Sequence, residues 1–257
     1  MGRNLCVIPA RMASSRYPGK PLAPLLGLGL VLHVWERCRL AKRVDRVIVA
    51  TCDEEIRLAC ERQGAEVVMT DPDHPGCVDR TAEAIALVSP VPSGDDLVLM
   101  VQGDEVMVTP DMLDAMVGVH QDTGAPVVNL ISRLRSTSDH DDPNRVKCCI
   151  ALDGRALFFS RSPIPSRVRT DDVPMYQQTG IIGFSADFLT IFQNLSRTPM
   201  EIAEGIDMLR TLEHGYEIRT VPTDAQMLGV DTPNDRIRAE ELLRHDPVTR
   251  AYLDFGA

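Results

Sequence analysis

Three cations, Arg11, Arg16 and Lys20, fall within ten residues of one another near the start of the chain, in the stretch Pro9-Ala10-Arg11-Met12-Ala13-Ser14-Ser15-Arg16-Tyr17-Pro18-Gly19-Lys20. Spread along a loop of small residues with a Pro-Gly turn, such cations can converge with backbone amides on one polyanion, and a triphosphate is the obvious candidate. Two carboxylates farther along complement them. Asp104 comes just after the most hydrophobic stretch of the chain, Leu97-Val98-Leu99-Met100-Val101-Gln102, and Asp231 stands in Gly229-Val230-Asp231-Thr232-Pro233, ahead of a capped helix. A pair of Asp side chains plus phosphate oxygens is what a hard, octahedral Mg²⁺ accepts. Each feature alone has an ordinary structural explanation: a solvated βα connection, a turn at Gly103-Asp104-Glu105, a helix cap at Asp231-Thr232-Pro233. Their coincidence favours a site for metal and triphosphate.

The elements that must position these residues follow from periodicity. Residues 5–8 form a continuous apolar run before Pro9, which suits a strand covered on both faces. A helix is expected over 30–41, with Val31, Val34, Trp35 and Cys38 at helical spacing and Glu36, Arg37 and Arg39 on the other side. A strand at 44–51, a helix at 54–63 ending at Gly64, and a strand at 66–69 complete an alternation that predicts a parallel sheet with right-handed crossovers. The turn-rich segment 71–80 leads into a helix through 87, and 97–102 is expected to be the central strand. A helix over 110–119 and a strand over 127–132 follow.

From about residue 139 the texture changes: strands are expected at 146–151, 156–160 and 180–185, with a tight turn at Asp153-Gly154 and a Pro-containing excursion at 162–175. Helices at 186–194 and 203–214, a strand at 217–222, and a final helix capped by Thr232 with Pro233 in its first turn close the chain. The expected class is α/β: a Rossmann-like, mixed but mainly parallel sheet flanked by helices, with 1–257 a single domain and 139–194 an embedded subregion.

Composition narrows the function. In 257 residues the chain carries 44% hydrophobic and 25% charged residues, and no apolar run long enough to cross a bilayer. Its net charge of −10 argues against nucleic acid or anionic membrane as a partner, but a local basic cluster beside a metal can still hold a triphosphate. Seven cysteines, an odd number without Cys-x-x-Cys spacing, read as reduced, and a cytoplasmic location is expected. His33, on a mainly apolar helix, reads as a satisfied core or interface group rather than a ligand.

Taken together, Pro9-Ala10-Arg11, Ser14, Arg16, Pro18-Gly19-Lys20, Val101-Gln102-Gly103-Asp104-Glu105, Pro143-Asn144-x-Val146-Lys147, Phe159-Ser160-Arg161, Ile164-Pro165 and Gly229-Val230-Asp231-Thr232 strongly resemble the 3-deoxy-manno-octulosonate (Kdo) cytidylyltransferases over residues 5–243. The resemblance implies a nucleotide-diphospho-sugar transferase (GT-A-like) fold. It also implies transfer of CMP from CTP to an acidic sugar with release of pyrophosphate, a Mg²⁺ cofactor, and a place in lipopolysaccharide biosynthesis. Carried over position by position, Arg11, Lys20 and Asp104 would be catalytic and Asp104 and Asp231 would bind the metal. Pro9, Ala10, Arg11, Ser14, Arg16, Lys20, Arg80 and Gln102 would contact the nucleotide. A homodimer is implied too, with contacts from 139–194.

The chain departs from the family pattern in two places. Where the family has His-Gln-Ser-Gly-Thr-Glu-Arg, here stands His74-Pro75-Gly76-Cys77-Val78-Asp79-Arg80, with two hydroxyls lost near the nucleotide. In the expected acceptor pocket, assigned to Arg161, Gln178, Glu204 and Met208, the sequence shows Gln178-Thr179-Gly180-Ile181-Ile182 for His-Leu-Gly-Ile-Tyr, and Met208 for Gln. A site that loses hydroxyl partners changes its preference. The alternative acceptors are therefore an amino-octulosonate or a small acid such as a phosphonate. A nucleotide-binding homologue without catalysis is a further alternative, against which Arg11, Lys20, Asp104 and Asp231 speak.

Overall fold

The computed structural model describes residues 2–13, 17–170 and 172–254; Ser14 and Arg16 lie outside them. The chain runs through β1 (Asn4–Ala10), a small hairpin of β2 (Pro24–Leu25) and β3 (Leu28–Gly29), α1 (Leu30–Cys38), β4 (Arg46–Thr51), α2 (Glu54–Arg62), β5 (Glu66–Met69), α3 (Cys77–Leu87) and β6 (Leu97–Val101). It continues through α4 (Pro110–Thr123), β7 (Val127–Arg133), α5 (Thr137–Asp141), β8 (Lys147–Ile150), β9 (Ala156–Ser160), β10 (Tyr176–Ser185), α6 (Ala186–Asn194), α7 (Pro199–Glu204), α8 (Met208–Glu213), β11 (Ile218–Thr223) and α9 (Pro233–His245).

Strand order in the main sheet is β11-β7-β10-β6-β1-β4-β5, with the β8–β9 hairpin attached to β10. β6 is thus the middle strand, as its apolar run predicts. All seven strands of this path are parallel except β10, which pairs antiparallel with both β6 and β7. Its direction has a consequence for the site. The chain leaves β7 at the edge where the parallel strands end, passes through α5, β8 and β9, and re-enters the sheet at Tyr176 on that same edge, opposite Arg133. The whole excursion therefore hangs over the carboxyl ends of the strands, where α/β sheets bind ligands.

Every residue of β1 is buried, because helices cover both faces. Cys6, Ile8 and Ala10 pack with Leu30, Val34, Leu113 and Val117 on one side; Leu5 and Val7 pack with Val78, Ile85, Phe188 and Phe192 on the other. Full burial of one such aliphatic side chain contributes about 1.5–3 kcal/mol, so this alternation fixes the register of the strand that delivers Pro9 and Ala10.

The structure corrects the sequence reading in three places. The helix expected over 203–214 is two helices, because Gly205 adopts φ 64° as the left-handed cap of α7 and Asp207 starts α8. β10 begins at Tyr176, four residues before the expected 180, through a bulge between Gln178 and Ile182. Arg37, expected on the solvent side of α1, is fully buried: its Nη1 donates to Asp246 Oδ2 at 2.6 Å and to Thr249 Oγ1 at 3.1 Å. That pairing spans more than two hundred residues, so helical periodicity could not reveal it. His33 is a core group, bonded to Leu25 O at 2.6 Å and the Tyr252 hydroxyl at 2.8 Å.

Candidate active site

The basic loop leaves β1 at Ala10 and is pinned at both ends. Met12 N donates to Asp53 Oδ2 at 2.7 Å beyond the end of β4, and Gly19 N donates to Met12 O at 3.3 Å. Gly19, at φ 72°, caps a short 3-10 turn, Lys20–Leu22, that turns the Lys20 side chain to the sheet edge. Beside it β6 ends, and its next residues approach β1 so closely that a Cβ on Gly103 would lie 3.2 Å from Pro9 O. Asp104 O then accepts from Val230 N at 3.2 Å, which brings the loop before α9 alongside. That loop is held by the helix cap: Asp235 Oδ2 accepts from the backbone of Asp231 at 3.3 Å and of Thr232 at 2.9 Å.

The result joins three residues drawn from opposite ends of the sequence. Lys20 Nζ lies 2.6 Å from Asp104 Oδ2 and 3.2 Å from Asp231 Oδ1. Burial works to lower the Lys20 pKa, but Asp104 and then Asp231 raise it above the ordinary lysine value, so the ammonium stays charged. Among the described residues no three His, Cys, Asp or Glu side chains gather as a metal site. Two carboxylates aimed at one cation position still fit a hard divalent ion that takes its remaining ligands from phosphate and water.

Two cavities flank this trio. The smaller, about 140 Å³, is lined by Pro9, Ala10, Arg11, His74, Cys77 and Arg80 among others. Arg80 is 3% exposed; its Nη1 donates to Thr70 Oγ1, while Nη2 is buried with no hydrogen-bond partner among the described residues. Such a nitrogen is satisfied by an ordered water or by a ligand group that reaches it. Burial pushes the Cys77 thiol up to about 12, so it is an inert wall at neutral pH.

The larger cavity, about 560 Å³, lies beneath the excursion between β7 and β10, and Gln102, Arg161, Gln178 and Asp231 line it. Arg161 is fixed from several sides: Nε donates to Glu204 O at 2.7 Å, Nη1 to Pro143 O at 3.1 Å, and its backbone N to Glu204 Oε2 at 2.8 Å. The other Glu204 oxygen accepts from Ser160 Oγ at 2.6 Å, a bond that, with Arg161, holds its pKa below the usual carboxylate value. Gln178 Nε2 donates to Asn129 Oδ1 at 2.9 Å.

The structure thus gathers Pro9, Ala10, Arg11 and Arg80 on the small cavity, and sets Gln102 on the large one although the sequence assigned it to the nucleotide. Two acceptor assignments need correction. Glu204 does not line the cavity but braces Arg161, and Met208 is fully buried in the core between α8 and the sheet, because the helix break at Gly205 turns it inward. Sequence reasoning missed Glu105, which lines the large cavity at 7% exposure. Its Oε1 accepts from Gly180 N at 2.6 Å while Oε2 has no partner among the described residues; burial, then Asp104, raises its pKa to about 7. An acid directly after Asp104, in a stretch read as a turn, was the available signal.

The sequence matches the cytidylyltransferase family over residues 5–218. It is 41% identical to 3-deoxy-manno-octulosonate cytidylyltransferase of Syntrophotalea carbinolica, over 93% of this chain and 97% of that one. To the mitochondrial enzyme of the same name from Arabidopsis thaliana it is 37% identical, over 94% and 83%. A solved structure of CMP:2-keto-3-deoxy-manno-octonic acid synthetase complexed with CTP superposes with a TM-score of 0.88 at 32% identity, covering 95% of this chain and 99% of that one. At 14% identity and a TM-score of 0.63, 4-diphosphocytidyl-2C-methyl-D-erythritol synthase of Anaerococcus prevotii shares the fold.

Proposed function

The chain belongs to the 3-deoxy-manno-octulosonate cytidylyltransferase family, and on that footing we propose that it transfers CMP from CTP to Kdo or a Kdo-like acid sugar, releasing pyrophosphate. The observation that carries this reading is the position of the Lys20, Asp104 and Asp231 trio at the strand ends, with a small cavity and a large polar one opening beside it. In the small cavity the Arg80 guanidinium suits a pyrimidine carbonyl and Arg11 meets the phosphates, with Lys20 joining them from its place beside Asp104 and Asp231. In the large cavity Arg161, braced by Glu204, takes the acceptor carboxylate.

The acceptor hydroxyl oxygen forms a bond to the α-phosphorus of CTP as the bond from that phosphorus to the pyrophosphate oxygen breaks, and the hydroxyl proton passes to solvent. No covalent enzyme intermediate is needed. The protein's part is positioning and neutralisation: Arg161 orients the acceptor, and Lys20 and Arg11 offset the charge that builds on the leaving phosphates. Asp104 and Asp231 would hold Mg²⁺, which supplies Lewis-acid polarisation of the phosphoryl oxygens. Pyrophosphate release and CMP-sugar formation on mixing CTP, Kdo and Mg²⁺ test the assignment, and an enzyme that releases no pyrophosphate with these reactants would overturn it.

A second reading keeps the chemistry and changes the acceptor to an amino-octulosonate or a small acid such as a phosphonate. The Gln178 side chain favours it: Asn129 takes one of its two amide hydrogens and fixes its orientation, leaving it fewer donors for a sugar hydroxyl. Turnover of a panel of acids with CTP separates the two readings.

The same proposal treats 1–257 as one catalytic unit that works in the cytoplasm in lipopolysaccharide biosynthesis, as a homodimer joined through 139–194. No described helix is long and apolar enough to cross a membrane. Support for the dimer comes from exposed apolar side chains in that subregion, Leu152, Leu157 and Val168. Light scattering that finds a monomer at working concentration rejects this part.

A further inference from the structure

A divalent ion held by Asp104 and Asp231 has a competitor already in place. Lys20 Nζ stands 2.6 Å from one carboxylate and 3.2 Å from the other, on a side chain only 14% exposed. An ion at Mg²⁺ to oxygen distances of about 2.0–2.1 Å from the same oxygens would meet the ammonium at contact range, where like charges repel strongly in a partly desolvated site.

The backbone beneath Lys20 cannot move to relieve this. Lys20 N donates to Tyr17 O at 3.2 Å, Gly19 N donates to Met12 O at 3.3 Å, and the residue opens a 3-10 turn. The flexible four-carbon stem is the part free to swing. A triphosphate arriving over the basic loop offers the ammonium another anion and so draws it off the two carboxylates.

We propose that Lys20 is a resident counter-ion of the Asp104 and Asp231 pair, which a divalent cation must displace, so that free metal binds poorly and the nucleotide's phosphates help open the metal site by drawing Lys20 away. This rests on the reading of Asp104 and Asp231 as metal ligands given above. It makes Lys20 responsible for a coupling between metal and nucleotide, reciprocal by linkage: each strengthens the other.

Manganese binding to the full chain, followed by electron paramagnetic resonance without nucleotide, tests it. Lys20→Met and a second variant, Lys20→Gln, should bind free Mn²⁺ about tenfold or more tightly than the parent, with circular dichroism confirming the fold. Arg11→Met removes a cation that makes no ion pair with either carboxylate among the described residues, and should stay within about threefold of the parent. Adding CTP without acceptor should then improve Mn²⁺ affinity less in Lys20→Met than in the parent. The inference is overturned if both Lys20 variants stay within threefold of the parent, or if Arg11→Met tightens binding as much as they do. Loss of no Mn²⁺ affinity in Asp104→Asn with CTP present would overturn the metal-ligand reading itself.

Discussion

The small cavity is lined by two short stretches of chain, the end of the fully buried β1 with Arg11 and residues 74–80 at the start of α3, whereas the large cavity draws its lining from many separate segments whose side chains hold one another in place. On the small-cavity side the positions of Pro9 and Ala10 follow from the strand they end. On the large-cavity side position follows from hydrogen bonds between distant segments, such as Arg161 to Glu204 across 43 residues and Gln178 to Asn129 across 49. The small-cavity side can therefore stay rigid while the wall of the large cavity is altered by a few substitutions.

Breaking the trio between the two cavities should have the largest effect. Asp104→Ala is expected to cut pyrophosphate release by about 10³-fold or more with any acceptor, because it removes charge stabilisation needed in the transition state. Activity within tenfold of the parent would show that the two sides do not share this centre.

The next contrast lies between the sides themselves. Arg161→Lys should raise the acceptor KM about tenfold or more while leaving the CTP KM within twofold, since a lysine cannot reproduce the fork held by Glu204 O and Pro143 O. Arg80→Met should do the reverse, raising the CTP KM about tenfold and the UTP KM alike, since both bases present the same carbonyl to a guanidinium donor. Equal shifts of the acceptor and CTP KM values in either variant would erase the distinction.

The smallest effect concerns pH. Ser160, then Arg161, hold the folded Glu204 pKa below its unfolded value, so Glu204 adds stability that is present above about pH 4.5 and lost as pH falls through the folded value. Glu204→Gln should therefore melt lower than the parent at pH 7, by about 2 °C, with the gap closing on acidification below pH 4.5. A gap unchanged to pH 3 would mean that the brace on Arg161 owes nothing to charge.

The same contrast explains what the sequence made legible. β1, α2, β5 and β6 carry local signals, an unbroken apolar run, a Gly stop, or hydrophobic density, and Thr232-Pro233 marks the start of α9. Pro9 and Ala10 follow from these because they end β1, and Asp104 because it comes just past β6. Met208 could not be placed that way: whether it meets the cavity or the core depends on the left-handed Gly205, and nothing in the spacing of 203–214 distinguishes one helix from two. Arg37 and Glu105 escaped for a similar reason, their burial being decided by Asp246 and Gly180 far away in the chain.

The reversed direction of β10 also bears on how such enzymes diversify. Because the chain departs from and returns to one edge of the sheet, residues 134–175 form a cassette whose two ends stay side by side, at Arg133 and Tyr176, whatever its length or content. Grafts or deletions there would exchange the roof over the large cavity without shifting the register of β6 against β1, so new substrates can be tried above an unchanged sheet.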